Sequence, residues 1–205
     1  MDERLFFPAT SRNYKYISKV LSSFLPKTGL ILEVASGSGE HAVKFQKQFT
    51  DVIWQTSDPN PTHRRSINAW IKHENLTKKM PQPLNLDVSN QPWQFPQGTS
   101  SAFNGIICIN LLHISPWRCT KALLKEAKKH LNENNPIIIY GPFMRNGRHT
   151  SKSNELFDRS LKVENPEWGV RDLEGVISLA ISCGFTKRFV IEMPANNLTV
   201  IFSNN

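Results

Sequence analysis

The chain has 205 residues, of which 25 are Lys or Arg and 17 are Asp or Glu, giving a formal charge of +8 at pH 7. A chain of that length fits one domain burying roughly 70% of its unfolded surface, so it needs no disulfide or metal staple. Cys108, Cys119 and Cys183 are odd in number and never in a Cys-x-x-Cys pair, which argues against a zinc site or disulfide framework and for a reducing cytoplasm.

The charged opening is broken at Pro8 and nowhere do eighteen apolar residues run together, so neither a signal peptide nor a membrane span is expected. In chain order, a helix is predicted over 10–25, then a strand over 30–35 that turns through Gly37 and Gly39 into a helix over 40–49. A strand over 52–57, a helix over 62–74 and a third strand over 82–87 follow. The second half reads as a strand over 104–110, a helix over 117–132, a strand over 136–140, a helix over 170–183 and strands over 186–192 and 197–203. This rhythm of strand, helix, strand predicts an α/β domain, a mostly parallel sheet with helices on both faces. Only Met193 to Asn197 part the last two strands, too few residues for a parallel crossover, so the seventh strand must run antiparallel to the sixth. The polar stretch 141–169, where a helix is due, reads as an inserted lid or binding element.

The positive charge is spread out. Lys121, Lys125, Lys128 and Lys129 recur at helical spacing and read as a solvated face. Arg145, Arg148, His149 and Lys152 gather in the polar stretch, where a substrate can meet them. The turn after the first strand is more informative. Gly37 and Gly39 lack the Cβ atoms that keep a backbone away from a ligand, and the helix that follows aims unpaired N–H groups at the turn. Gly37-x-Gly39-x-x-Ala42 also fits a dinucleotide fingerprint.

Open α/β sheets bind ligands beyond the carboxyl ends of their strands. Glu33, Asp58 and Asp87 end the first three strands. Asp58, nineteen positions after Gly39, is placed to accept from ribose hydroxyls; its bland reading is a turn acid before Pro59. Asp87 with Val88 suits the amine and ring of an adenine, or else Asp87 is a helix cap. Glu33 discriminates among cofactors, because a carboxylate there repels a diphosphate and attracts an ammonium or sulfonium.

Glu-Val-Ala-Ser-Gly-Ser-Gly-Glu-His-Ala (33–42), Cys-Ile-Asn-Leu-Leu-His-Ile-Ser-Pro-Trp (108–117), Tyr-Gly-Pro-Phe (140–143), Gly-Arg-His-Thr (147–150), Trp-Gly-Val-Arg-Asp-Leu (168–173) and Met-Pro-Ala-Asn-Asn-Leu (193–198) carry a family resemblance. The chain resembles class I methyltransferases, and within them the methyltransferase-like 26 family, a domain of unknown function. The resemblance implies a single Rossmann-like domain with a seven-stranded sheet whose last strand is antiparallel, and S-adenosylmethionine (SAM) as cofactor. It implies that Glu33, Ser36, Gly37 and Gly39 hold the methionine part, Asp58 the ribose, and Asp87 and Val88 the adenine. By the same resemblance Asn110 and Leu111, at the fourth strand end, are expected by the reacting centre. His113 and His149 are candidate bases, and His41 packs near the cofactor without chemistry.

Arg12 and Asn13 match the family too, so that residues 1–25 are expected over the cofactor mouth. Arg145, Asn154 and Asp158 in 141–169 are expected on the substrate side. The expected acceptor is a small molecule, with no metal and no membrane. Three alternatives stay open: a nicotinamide oxidoreductase, disfavoured by Glu33 and the terminal hairpin; a binding or regulatory protein that keeps the fold without transfer; and a nucleic-acid methyltransferase. Against the last stand the lack of an Asn-Pro-Pro-Tyr motif, of a Pro-Cys nucleophile, and of an aromatic and basic platform.

Overall fold

A computed structural model describes residues 2–204. Its centre is a run of strands that are apolar at nearly every position: β1 (Gly29–Val34), β2 (Val52–Thr56), β3 (Gly105–Ile109) and the start of β4 (Ile137–Arg145). Strands of that composition are stable only when both faces are covered. Alternate residues supply the two faces: Leu32, Ile106 and Ile139 pack on one side, Ile31, Ile107 and Ile138 on the other. The first face is covered by α4 (Trp117–His130) and α6 (Leu173–Ser182). The second is covered by α1 (Pro8–Phe24), α2 (Glu40–Gln48) and α3 (Pro61–His73), with Trp54 and Phe45 fully buried among them.

The sheet order is β2-β1-β3-β4-β8-β7, where β7 is Lys187–Met193 and β8 is Asn197–Ser203. Strands β1 to β4 pair in parallel, and β8 runs antiparallel to both β4 and β7, as the short connection requires. The chain leaves β1 to one side for β2 and returns on the other for β3. The strand order therefore reverses between β1 and β3, and their carboxyl ends open a crevice there.

Three expectations change: the sheet has eight strands rather than seven, the strand predicted over 82–87 being lost and two short strands joining β4. The strand predicted over 82–87 is reduced to one parallel bridge between Ser57 and Leu84. Leu84 donates to Thr56 O at 2.9 Å and accepts from Asp58 N at 3.0 Å, while Pro81 and Pro83 just before it fix φ and interrupt the run of strand-forming residues. The stretch 141–169 is not one long loop. β4 continues to Arg145, turns back into β5 (Arg148–His149), and is followed by α5 (Lys152–Glu164), whose amino end is capped by Ser151 accepting from Asn154 N. A two-residue strand β6 (Arg171–Asp172) then pairs with β4 before α6 begins. On α4, Lys121, Lys125 and Lys129 are exposed, while Lys128 donates to Gly184 O at 2.9 Å.

Candidate active site

The turn after β1 crowds left-handed residues together: Ala35 (φ 55°), Gly37 (57°) and Gly39 (85°). A Cβ on Gly37 would lie 3.0 Å from the Phe7 ring, and one on Gly39 would lie 2.8 Å from Ile67 Cα. Gly39 thus lets α2 start hard against α3, which is why this turn needs glycine. The turn is laced to β2 as well. Ser36 N donates to Ser57 O at 2.8 Å, and the Ser36 and Ser57 hydroxyls both donate to Glu33 O. Asp58 is fixed by the same turn: its Oδ2 accepts from Gly37 N at 2.9 Å, and its Oδ1 from Asn60 N and His63 Nδ1.

Glu33 is 2% exposed, and its Oε2 accepts from Trp54 Nε1 at 2.6 Å. Burial pushes its carboxyl up to about 8 against that hydrogen bond, with the Asp58 charge adding to the rise. The sequence expectation of a standing negative charge is therefore corrected. At neutral pH the carboxyl is mostly protonated, and its charge depends on what lies beside it.

Two adjoining cavities occupy the crevice. The smaller, about 300 Å³, is lined by Glu33, Ser36, Gly37, Asp58, Asn110 and Leu111 of the expected cofactor residues, and by His41. Gly39, Asp87 and Val88 do not line it. Gly39 is spent on the helix start; Asp87 Oδ1 accepts from Ser89 N and Oγ in a turn, with no helix behind it for the cap its bland reading expected; Val88 is buried in the core. Phe7, Thr10 and His63 are lining residues the sequence did not give away. Phe7 precedes a helix-starting proline in a charged stretch, and no periodicity marks it.

The larger cavity, about 450 Å³, is lined by Arg12, Asn13, Asn110, His113 and Asn154 of the expected residues. Arg145, His149 and Asp158 lie outside its wall. Arg145 is exposed and ion-paired with Glu192 at 2.6 Å. Asp158 holds Lys162 at 2.6 Å, His149 Nε2 at 3.4 Å and Val170 N at 2.7 Å, a tie between α5 and its neighbours. Tyr16, Tyr140 and Phe157 line it unforeseen. Phe7, Ala9 and Asn110 border both cavities. Asn110 ends β3 at φ 59°, a strained conformation that asparagine tolerates better than most residues.

His113 sits in a one-turn helix (Leu112–Ile114) held by Arg171, which donates to Leu112 O, Ser115 O and Glu167 O. Burial, helped by the Arg171 charge, pushes its imidazole down to about 4, so it is neutral at pH 7. Its ring packs edge-on to Phe157 and has no hydrogen-bond partner among the described residues. His41 is likewise pushed down to about 4 by burial, but its Nε2 is 2.7 Å from Asn13 Oδ1, which fastens α1 to α2. Among the described residues no cluster of His, Cys, Asp or Glu has the arrangement of a metal site, and no helix is long and apolar enough to cross a membrane.

The family model described as "Protein of unknown function (DUF938)" matches residues 4–204. The chain belongs to that family. Its fold is the Rossmann-like methyltransferase fold. It superposes on an O-methyltransferase family protein from Burkholderia thailandensis with TM-score 0.79 at 14% identity, covering 96% of this chain and 57% of that one. Against human N-acetylserotonin methyltransferase in complex with SAM the TM-score is 0.76 at 16% identity, covering 96% and 53%. Against an O-methyltransferase family 2 protein from Planctomyces limnophilus, in complex with apigenin, it is 0.73 at 16% identity, covering 99% and 64%. This DUF938 chain thus spans little more than half the length of such structures, and at these identities the likeness speaks for fold alone.

Proposed function

We propose that this chain is a SAM-dependent methyltransferase of a small-molecule acceptor, working in the cytoplasm and akin to the methyltransferase-like 26 family that its motifs resemble. The observation that carries the reading is the pair of cavities meeting at Asn110, one walled by glycine and acid at the point of strand-order reversal, the other by His113. The smaller cavity suits the cofactor. Its volume of about 300 Å³ falls within the range of small-molecule sites. Asp58 Oδ2 accepts one N–H and has room for a ribose hydroxyl. Glu33, whose carboxyl is bonded among the described residues only to an indole N–H, offers a counter-charge to an ammonium or sulfonium. The SAM-bound and apigenin-bound neighbours favour the same assignment, and the free Cys108, Cys119 and Cys183 fit a reducing compartment.

When bound, SAM supplies a sulfonium methyl group, which passes to the acceptor while the electron pair of the carbon–sulfur bond stays with sulfur. The chain's own part is alignment and exclusion of water. Asn110, together with Phe7 and Ala9 from residues 1–25, walls both cavities; Asn154 and Phe157, from 141–169, form the substrate side. Alignment is worth roughly 7–11 kcal/mol. His113, neutral and with no hydrogen bond to its ring among the described residues, accepts the acceptor's proton, but an imidazole at about 4 is a weak base at pH 7, so alignment is the larger effect. Calorimetry with SAM and S-adenosylhomocysteine tests the reading. Wild type is expected to bind both and Asp58→Ala to bind at least tenfold more weakly; no binding by wild type at millimolar cofactor overturns it.

A further inference from the structure

The larger cavity holds one charge in its wall, and that charge is unused. Arg12 makes no hydrogen bond or ion pair among the described residues, and no carboxylate lines the cavity with it. The other cations nearby are committed: Arg171 to three backbone carbonyls and Arg145 to Glu192. His113 is neutral. The rest of the wall is neutral: Tyr16, Tyr140 and Phe157 supply aromatic rings, and the amides of Asn13 and Asn154 are bonded to His41 and to Thr150 and Asn196 O.

We propose that the acceptor is a planar aromatic hydroxy acid, its carboxylate held by Arg12 and its ring packed among the aromatic side chains of the larger cavity. This rests on the transferase reading and adds the substrate class to it. The guanidinium fork matches a carboxylate in two parallel hydrogen bonds, whereas a neutral acceptor leaves it idle and a phosphate dianion calls for more cations than this wall has. A cavity of about 450 Å³ is ample for one substituted ring. Arg12 is exposed, so the acid group lies at the mouth, where it need not be stripped of all its water. The hydroxyl oxygen bonds to the methyl carbon as the carbon–sulfur bond breaks with its electron pair left on sulfur. The hydroxyl proton goes to His113 and on to solvent. The products are a methyl ether, the thioether form of the cofactor and one proton.

The test uses hydroxybenzoic and dihydroxybenzoic acids, each paired with its amide, titrated into protein loaded with S-adenosylhomocysteine and followed by calorimetry. At least one acid is expected to bind about tenfold or more tightly than its amide, the scale of one charge-assisted contact. Arg12→Ala is expected to erase that preference and Arg12→Lys to keep part of it, both with unchanged affinity for S-adenosylhomocysteine. The proposal is overturned if no acid outbinds its amide, or if the preference survives Arg12→Ala. In either case intact S-adenosylhomocysteine binding leaves the transferase reading standing; its loss in wild type brings down both.

Discussion

Glu33 shows how far a residue's surroundings can redirect its sequence reading. The strand-end acid and the glycines beside it were legible, but its ionisation was not, because that depends on Trp54, twenty-one residues away, and on burial at 2% exposure. Its carboxyl stands at about 8 when folded against an ordinary 4.5, so the folded chain holds the extra proton between those values. Glu33's contribution to stability is therefore greatest below about 4.5, falls as pH rises through that window and levels off above 8. A bound cation reverses the preference by favouring the charged form. The affinity for SAM is expected to rise about tenfold per pH unit approaching pH 8 and then flatten, with proton release visible as a buffer-dependent binding enthalpy. In Glu33→Gln both the affinity and the stability profiles should lose that slope. His113 presents the opposite case, a histidine kept neutral. His113→Asn is expected to lower the single-turnover rate about 10²-fold, the low end for acid–base help, without changing cofactor affinity.

At the scale of elements, the glycine turn makes a quantitative claim. Gly39 and Gly98 share nearly the same φ, 85° and 83°, but a Cβ at Gly39 strikes the Ile67 backbone while one at Gly98 meets nothing within 4 Å. Gly98→Ala isolates the backbone cost, about 1–2 kcal/mol. Gly39→Ala adds overpacking of a further 1–3 kcal/mol or so, and the difference should appear as a shift in urea midpoint between the two variants. What the sequence revealed of the elements follows the same physics. The apolar strands β1 to β4 were legible because burial on both faces writes itself into every position. The strand over 82–87 was over-read because apolar content outweighed Pro81 and Pro83. Helix α5 was missed because only Asn154, Asp158 and Leu161 of its thirteen residues are buried, too thin a stripe to stand out among polar residues. The same thinness hid Phe157 as a cavity wall, while Arg145 and His149, judged by their charge, proved to be tied to Glu192 and Asp158.

For the whole molecule, the antiparallel last strand followed from the short connection before it, whereas the strand order that places the crevice is visible only in the folded chain. The walls of that crevice were harder to foresee, since Phe7, Tyr16, Tyr140 and Phe157 come from four segments joined only by folding. A single sheet with both faces packed is expected to unfold in one cooperative step. Ligand in the smaller cavity then stabilises everything at once. S-adenosylhomocysteine at a hundredfold its dissociation constant should add about 2.7 kcal/mol and raise the melting temperature by roughly 5–10 °C, which thermal scanning reads directly.

The seating of Phe7 carries a temporal consequence. Just before it, Leu5 N donates to Ser66 Oγ at 2.8 Å and Leu5 O accepts from Trp70 Nε1 at 3.0 Å, partners 61 and 65 positions further along. Early synthesis therefore makes the gate before the post it hangs on exists. A segment fastened by so few bonds near the chain end is expected to be among the first to open, which faster amide exchange at Leu5 than along β1 would show.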